Sequence, residues 1–158
     1  MSVYQYGFFI IPRKNVYTVF EGLNLNSFLN NELVDDPDGE LELFEDDLFW
    51  ENHALKFIDI SKYFDKKIQR GESWSKNLII YGHNDENCIK IFLEKDIIVS
   101  VGFRINFTLD YGKFLKEVID FCQYFDFLVV SNDLNILELD FDRINKTIRD
   151  SKSFKRFL

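Results

Sequence analysis

The pattern of apolar positions changes period along the chain, and the change is sharpest in the second half. The runs "NLIIYG" (77–82), "CIKIFLE" (88–94) and "IIVSVGFRINF" (97–107) are rich in β-branched and aromatic residues. In the third, Val99, Val101, Phe103, Ile105 and Phe107 alternate with Ser100, Gly102, Arg104 and Asn106. A period of two places one face on a core and leaves the other carrying a charge. The connections at 83–87 and at Lys95-Asp96 have the length and residues of hairpin turns. The period then becomes helical. Phe114, Leu115, Val118, Ile119, Cys122 and Phe125 share a side of one helix, with Asp110 a candidate cap. Residues 127–131 and 135–139 read as two further strands around an Asn132-Asp133 turn. A last helix opens at Asp140 or Asp142, with Ile144 and Ile148 one turn apart and Phe154 and Phe157 beyond.

The first half is less regular. Residues 3–11 read as an opening strand bounded by Pro12, and 15–20 as a second strand. Residues 26–33 suit a short helix capped by Asn26 or Ser27, and Pro37-Asp38-Gly39 signals a turn. A helix over 61–69 ends at Gly71, with Tyr63, Phe64 and Ile68 on one side. The order β-β-β-α-β-β-α across 73–158, with short connections, predicts an α+β fold: a mainly antiparallel sheet with helices packed on one face. With 158 residues, 46% hydrophobic and 17% aromatic, there is ample apolar material for one core, so residues 1–158 read as a single domain.

Charge changes this picture at one place. The segment "DDPDGELELFEDDLFWEN" (35–52) holds nine carboxylates and no Lys or Arg. The chain's net charge is −8, so the remaining 140 residues sum to +1. Acids interleaved with Leu43, Phe44, Leu48, Phe49 and Trp50 are more than a solvated face requires. The apolar residues either anchor the stretch to the core or form a contact patch rimmed by carboxylates. The patch would suit a basic protein partner, with aromatic burial for affinity and carboxylates for steering. Its candidate residues are Asp35, Asp36, Asp38, Glu40, Glu42, Glu45, Asp46, Asp47, Phe49, Trp50 and Glu51.

A metal is the alternative. With Gly39 on the invariant glycine of a calcium-binding EF-hand loop, Asp36 and Asp38 fall at positions three and five and Glu45 at twelve. Position one is then Val34, which has no ligating side chain, and Pro37 stiffens the turn. A low-affinity calcium-binding or regulatory loop over Asp36 to Glu45 is therefore the second reading, and no cofactor is expected under the first.

Other chemistry finds little support. His53 and His83 are the only histidines, and neither lies in a catalytic or metal-binding motif. No phosphate-binding glycine loop occurs, so an enzyme is not expected. A sequence pI near 4.8 disfavours nucleic acid, and the basic tail residues Lys152, Lys155 and Arg156 suit the negative end of a terminal helix. Cys88 and Cys122 lie within apolar patterns and read as reduced, buried thiols. The start "MSVYQYGFFIIPRKN" lacks a basic n-region and a long apolar run. No stretch reaches the roughly 18 apolar residues of a membrane span. A cytoplasmic location follows as the expectation. Abundant Lys, Asn, Ile and Phe point to an AT-rich coding sequence, as in many bacteria.

Residues 74–158 resemble small bacterial immunity proteins of polymorphic toxin systems, those of contact-dependent growth inhibition and type VI secretion. The likeness rests on "SWSKNLIIYGHNDENCIKIF", on "VSVGFRINF" with Arg104 in the last strand of the meander, on the Phe-rich helix, and on the closing "SKSFKRFL". It implies a cytoplasmic, non-catalytic protein that binds and neutralises a cognate toxin domain. Many such toxins are nucleases with basic substrate grooves, which the acidic stretch would suit, with Phe49 and Trp50 as anchors.

Overall fold

A computed structural model describes residues 4–19, 46–51, 53 and 55–158. The expected helix over 26–33, the turn at 37–39, the acidic residues 35–45 and the candidate calcium loop lie outside the described residues.

Six strands form one antiparallel sheet: β1 (Gln5–Pro12), β2 (Leu78–Gly82), β3 (Cys88–Glu94), β4 (Ile97–Asn106), β5 (Phe127–Ser131) and β6 (Ile136–Leu137). Their spatial order is β2-β3-β4-β1-β5-β6, so the opening strand lies at the centre between β4 and β5. Among the described residues five α-helices accompany them: α1 (Arg13–Val19), α2 (Phe57–Phe64), α3 (Gly112–Phe125), α4 (Phe141–Asp150) and α5 (Lys152–Phe157). A short 3-10 helix spans Asp46–Trp50. This is the α+β fold that the change of period predicts.

The cross-strand register explains the two faces. Ile79, Ile91, Val101, Ile10, Val129 and Leu137 align across all six strands on one face. There they pack with Ile60 and Phe64 of α2, Leu115, Val118, Phe121 and Cys122 of α3, and Ile144 and Ile148 of α4. On the opposite face Ile11, Leu128, Val130 and Ile136 form a second cluster with Val16 of α1 and with Phe49. Leu78, Ile80 and Cys88 form a third, at the β2–β3 end.

Several local features follow from named residues. Lys95 and Asp96 both have positive φ, 51° and 66°, the backbone of the tight two-residue hairpin whose twist matches the strands. A register shift where Phe92 and Leu93 face β4 leaves an extra residue in that strand. The bulge moves Ile98, rather than Val99, onto the core face, where Ile98 is fully buried while Val99 is only half-buried. Asp140 caps α4 by accepting a hydrogen bond from the Arg143 N–H at 3.2 Å. Asp110 does not cap α3 as its N-terminal flanking residue, which is Tyr111, but its Oδ1 accepts from the Gly112 N–H.

Two elements differ from the sequence reading. Residues 13–19 form α1, not a strand. Arg13 ties it to the end of α3, with Nε donating to Asp126 Oδ1 at 2.9 Å and its N–H to the Asp126 carbonyl. In addition, α2 begins at Phe57, earlier than expected. The Asp59 carboxylate accepts from the Lys56 N–H, and Ile60 and Phe64, one turn apart, face the core. Gly71 does not end that helix. It lies in a segment that runs beside β2, where its N–H donates to the Ile80 carbonyl at 2.8 Å. That segment partly covers an edge of the sheet.

Candidate functional site

The acidic stretch meets the described fold at its end. Asp46 and Asp47 belong to the 3-10 helix, and Glu51, just past it, is exposed. Phe49 and Trp50 are not contact residues: each is only 2% exposed. Of the two roles open to them, they take that of anchor to the chain's own core. Burial of a phenyl and an indole ring is worth several kcal/mol, more than an exposed position would return to the fold. Trp50 packs edge-on against Phe127, and its Nε1–H donates to the Ile10 carbonyl at 3.1 Å. Asn15 Nδ2 donates to the Phe49 carbonyl at 2.6 Å. Adjacent in sequence, the two rings enter different clusters, Trp50 on the helix-covered face and Phe49 on the other.

His53 lies against Trp50 and Phe127, its Nδ1 buried without a hydrogen-bond partner among the described residues. Burial, and then the charge of Lys14, pull its pKa below the ordinary histidine value. His83 sits exposed in the β2–β3 connection, where its Nδ1 accepts from the Asp85 N–H. That connection is held from beneath. The buried Gln5 side chain donates to the Asn84 and Glu86 carbonyls at 3.0 and 2.7 Å, and Asn106 Nδ2 donates to the Asp85 carbonyl. Among the described residues no group of three or more His, Cys, Asp or Glu side chains could hold a metal ion.

A site that the sequence reading passed over lies on the sheet face opposite α2, α3 and α4. In the register, Lys90 stands across from Gly102, and Arg104 across from Cys88 on one side and Gly7 on the other. Both glycines line a hollow of about 260 Å³, with Phe9, Phe92, Lys90 and Arg104 among its walls. Lys90 is only 7% exposed. Its ammonium lies 4.7 Å from the centroid of the Trp74 ring, a cation–π contact, while Trp74 itself is 67% exposed. Arg104 donates one long hydrogen bond, 3.5 Å, to Asn84 Oδ1. Among the described residues neither cation is paired with a carboxylate. Burial and the neighbouring Arg104 charge together lower the Lys90 pKa.

Trp74 and Arg104 are residues on which the family resemblance rests, and the fold brings both to the same face as Lys90. Lys90 had a signal of its own, a lone charge between Ile89 and Ile91 in an otherwise apolar run. Its meaning depends on the strand pairing that sets it near Arg104. The "SKSFKRFL" tail forms α5, and Phe154 and Phe157 pack on Phe107.

No protein-family model matches the chain, and no curated protein or solved structure is significantly similar to it. Among the described residues no helix is long and apolar enough to cross a membrane.

Proposed function

We propose that this chain is a non-catalytic binding protein of the immunity type, which neutralises a cognate protein toxin by engaging a basic surface through its acidic stretch. The observation that carries the reading is the anchoring of that stretch at its end. Phe49 and Trp50 are sunk in two core clusters, the Phe49 and Glu51 carbonyls both accept from Asn15 Nδ2, and Glu51 faces outward. Carboxylates at Asp46, Asp47 and Glu51, next to two buried rings, lose less conformational freedom on binding than those of a free tail, so more of their electrostatic attraction appears as affinity. The segregation of charge, nine acids in 35–52 against a nearly neutral remainder, supplies the steering field. The buried rings contribute by holding the stretch, not by contact.

The test is a pull-down from lysate of the source cells, washed at low and then high salt, with the captured partner then titrated against the natural chain and a triple variant. Asp46→Lys, Asp47→Lys and Glu51→Lys together should weaken that partner by at least about tenfold, or about 1.4 kcal/mol, and flatten its salt dependence. Unchanged affinity and salt slope in a folded variant would refute the acidic site.

A further inference from the structure

We propose that the hollow on the β3–β4–β1 face is a binding site for a small carboxylate with an apolar body, such as an arylacetic acid. Three observations converge on it. The first is a lysine more than nine-tenths buried, with no anionic partner among the described residues and an indole ring against its ammonium. An ammonium on a residue this buried gives up part of its hydration, which an anion can replace. The second is Arg104 in the same wall, whose planar guanidinium presents paired N–H donors that match a carboxylate. The third is shape. Gly7 and Gly102 form part of the floor and Phe9 and Phe92 part of the walls, so most of the hollow outside the charged corner is apolar, with Ser100 and Asn132 its uncharged polar side chains.

Size selects the ligand class. A cavity of roughly 150 Å³ accommodates benzene, so about 260 Å³ accepts one ring with a short acid side chain. Drug-sized ligands and nucleotides require the larger pockets of about 300–1,000 Å³. In this arrangement the carboxylate bridges Lys90 and Arg104 and the ring lies against the phenylalanine walls, with Trp74 next to the Lys90 ammonium. The site is independent of the acidic stretch, so either assignment can fail without the other.

The experiment is calorimetric titration of the full chain with phenylacetate, with Trp74 fluorescence as a second readout. Phenylacetate should bind saturably. Phenylacetamide, which keeps the ring without the charge, and acetate, which keeps the charge without the ring, should each bind at least about tenfold more weakly. Lys90→Met and Arg104→Met should each weaken phenylacetate by at least about tenfold, and Lys90→Arg should retain most of the affinity. Phenylacetamide or acetate matching phenylacetate overturns the proposal on the natural chain alone, whatever the variants do. So does a folded Lys90→Met or Arg104→Met variant that binds within about twofold of the natural chain. A peptide ending in phenylalanine with a free α-carboxylate separates the two sources of such a group. Tighter binding than phenylacetate assigns the ligand to a polypeptide terminus, and weaker binding assigns it to a free acid.

Discussion

Lys90 shows how a single residue can be placed against the interest of stability. The residue is largely buried, a like charge stands near it, and the Trp74 ring returns only part of the lost hydration. Lys90→Met keeps the length of the side chain and removes the charge. We expect it to raise unfolding free energy by about 1 kcal/mol, measured by urea denaturation at neutral pH. The sign of the pH dependence follows from the lowered pKa. The folded protein sheds this proton at lower pH than the unfolded chain, so between the two values the unfolded state binds more protons. The natural chain should therefore gain stability relative to Lys90→Met as pH rises toward the ordinary lysine range. His53 obeys the same rule in a lower window. Its depressed pKa means that protonation favours the unfolded chain, so stability is lost as pH falls from about 6.5 toward the folded value. In His53→Phe that part of the acid destabilisation should vanish, which thermal melts between neutral and mildly acidic pH would reveal. The two thiols report on burial more directly. Cys88 and Cys122 are both fully buried, and burial raises both pKa values. Neither should react with a thiol reagent in the native state on the timescale of its reaction in denaturant.

At the scale of the elements, the legible parts of the fold were those whose signal is local. The β2–β3–β4 meander follows from alternation and from turns of the right length, α3 from helical spacing, and the start of α4 from an Asp that does cap it. The parts that misled are those decided by distant residues. Nothing in "RKNVYTV" outweighs its β-branched residues except the tie from Arg13 to Asp126, 113 positions away, and the cluster that takes Val16. Helix propensity is a weak prior against such contacts. The bulge in β4 is similar: strict alternation puts Val99 on the core, and only the pairing with Phe92 and Leu93 reveals Ile98 in its place. The candidate hollow was half visible. Trp74 and Arg104 stood out as residues of the resemblance, but the register that gathers them around Lys90 is a property of the sheet. One element-level prediction isolates the 3-10 helix. Trp50→Phe removes the Nε1–H donor and leaves the Ile10 carbonyl buried without it, at a cost of about 2 kcal/mol in chemical denaturation.

Across the whole molecule, charge and apolar surface are distributed unevenly. A third of the acids lie in one stretch of eighteen residues, the main helices cover one sheet face, and the hollow with its two cations occupies the other. The sheet has two edges, and both are blunted. Gln69–Gly71 runs beside β2, where the Gly82 N–H donates to the Gln69 carbonyl at 2.8 Å, and β6 is only two residues long. Gly82 is central to the first of these. Its φ is +90°, and a Cβ there would lie 2.2 Å from the Asn87 carbonyl oxygen. Gly82→Ala should therefore both destabilise the chain, by more than about 2 kcal/mol, and promote aggregation as the β2 edge loses its cover; sedimentation and melting would show both.

The placement of Phe49 and Trp50, neighbours that enter opposite layers, has a kinetic consequence. A peptide unit with one foot in each layer acts as a rivet through the sheet. Amides of α1 and of α3 should then share one opening event in hydrogen exchange, and truncating either ring to Ala should split that event into two.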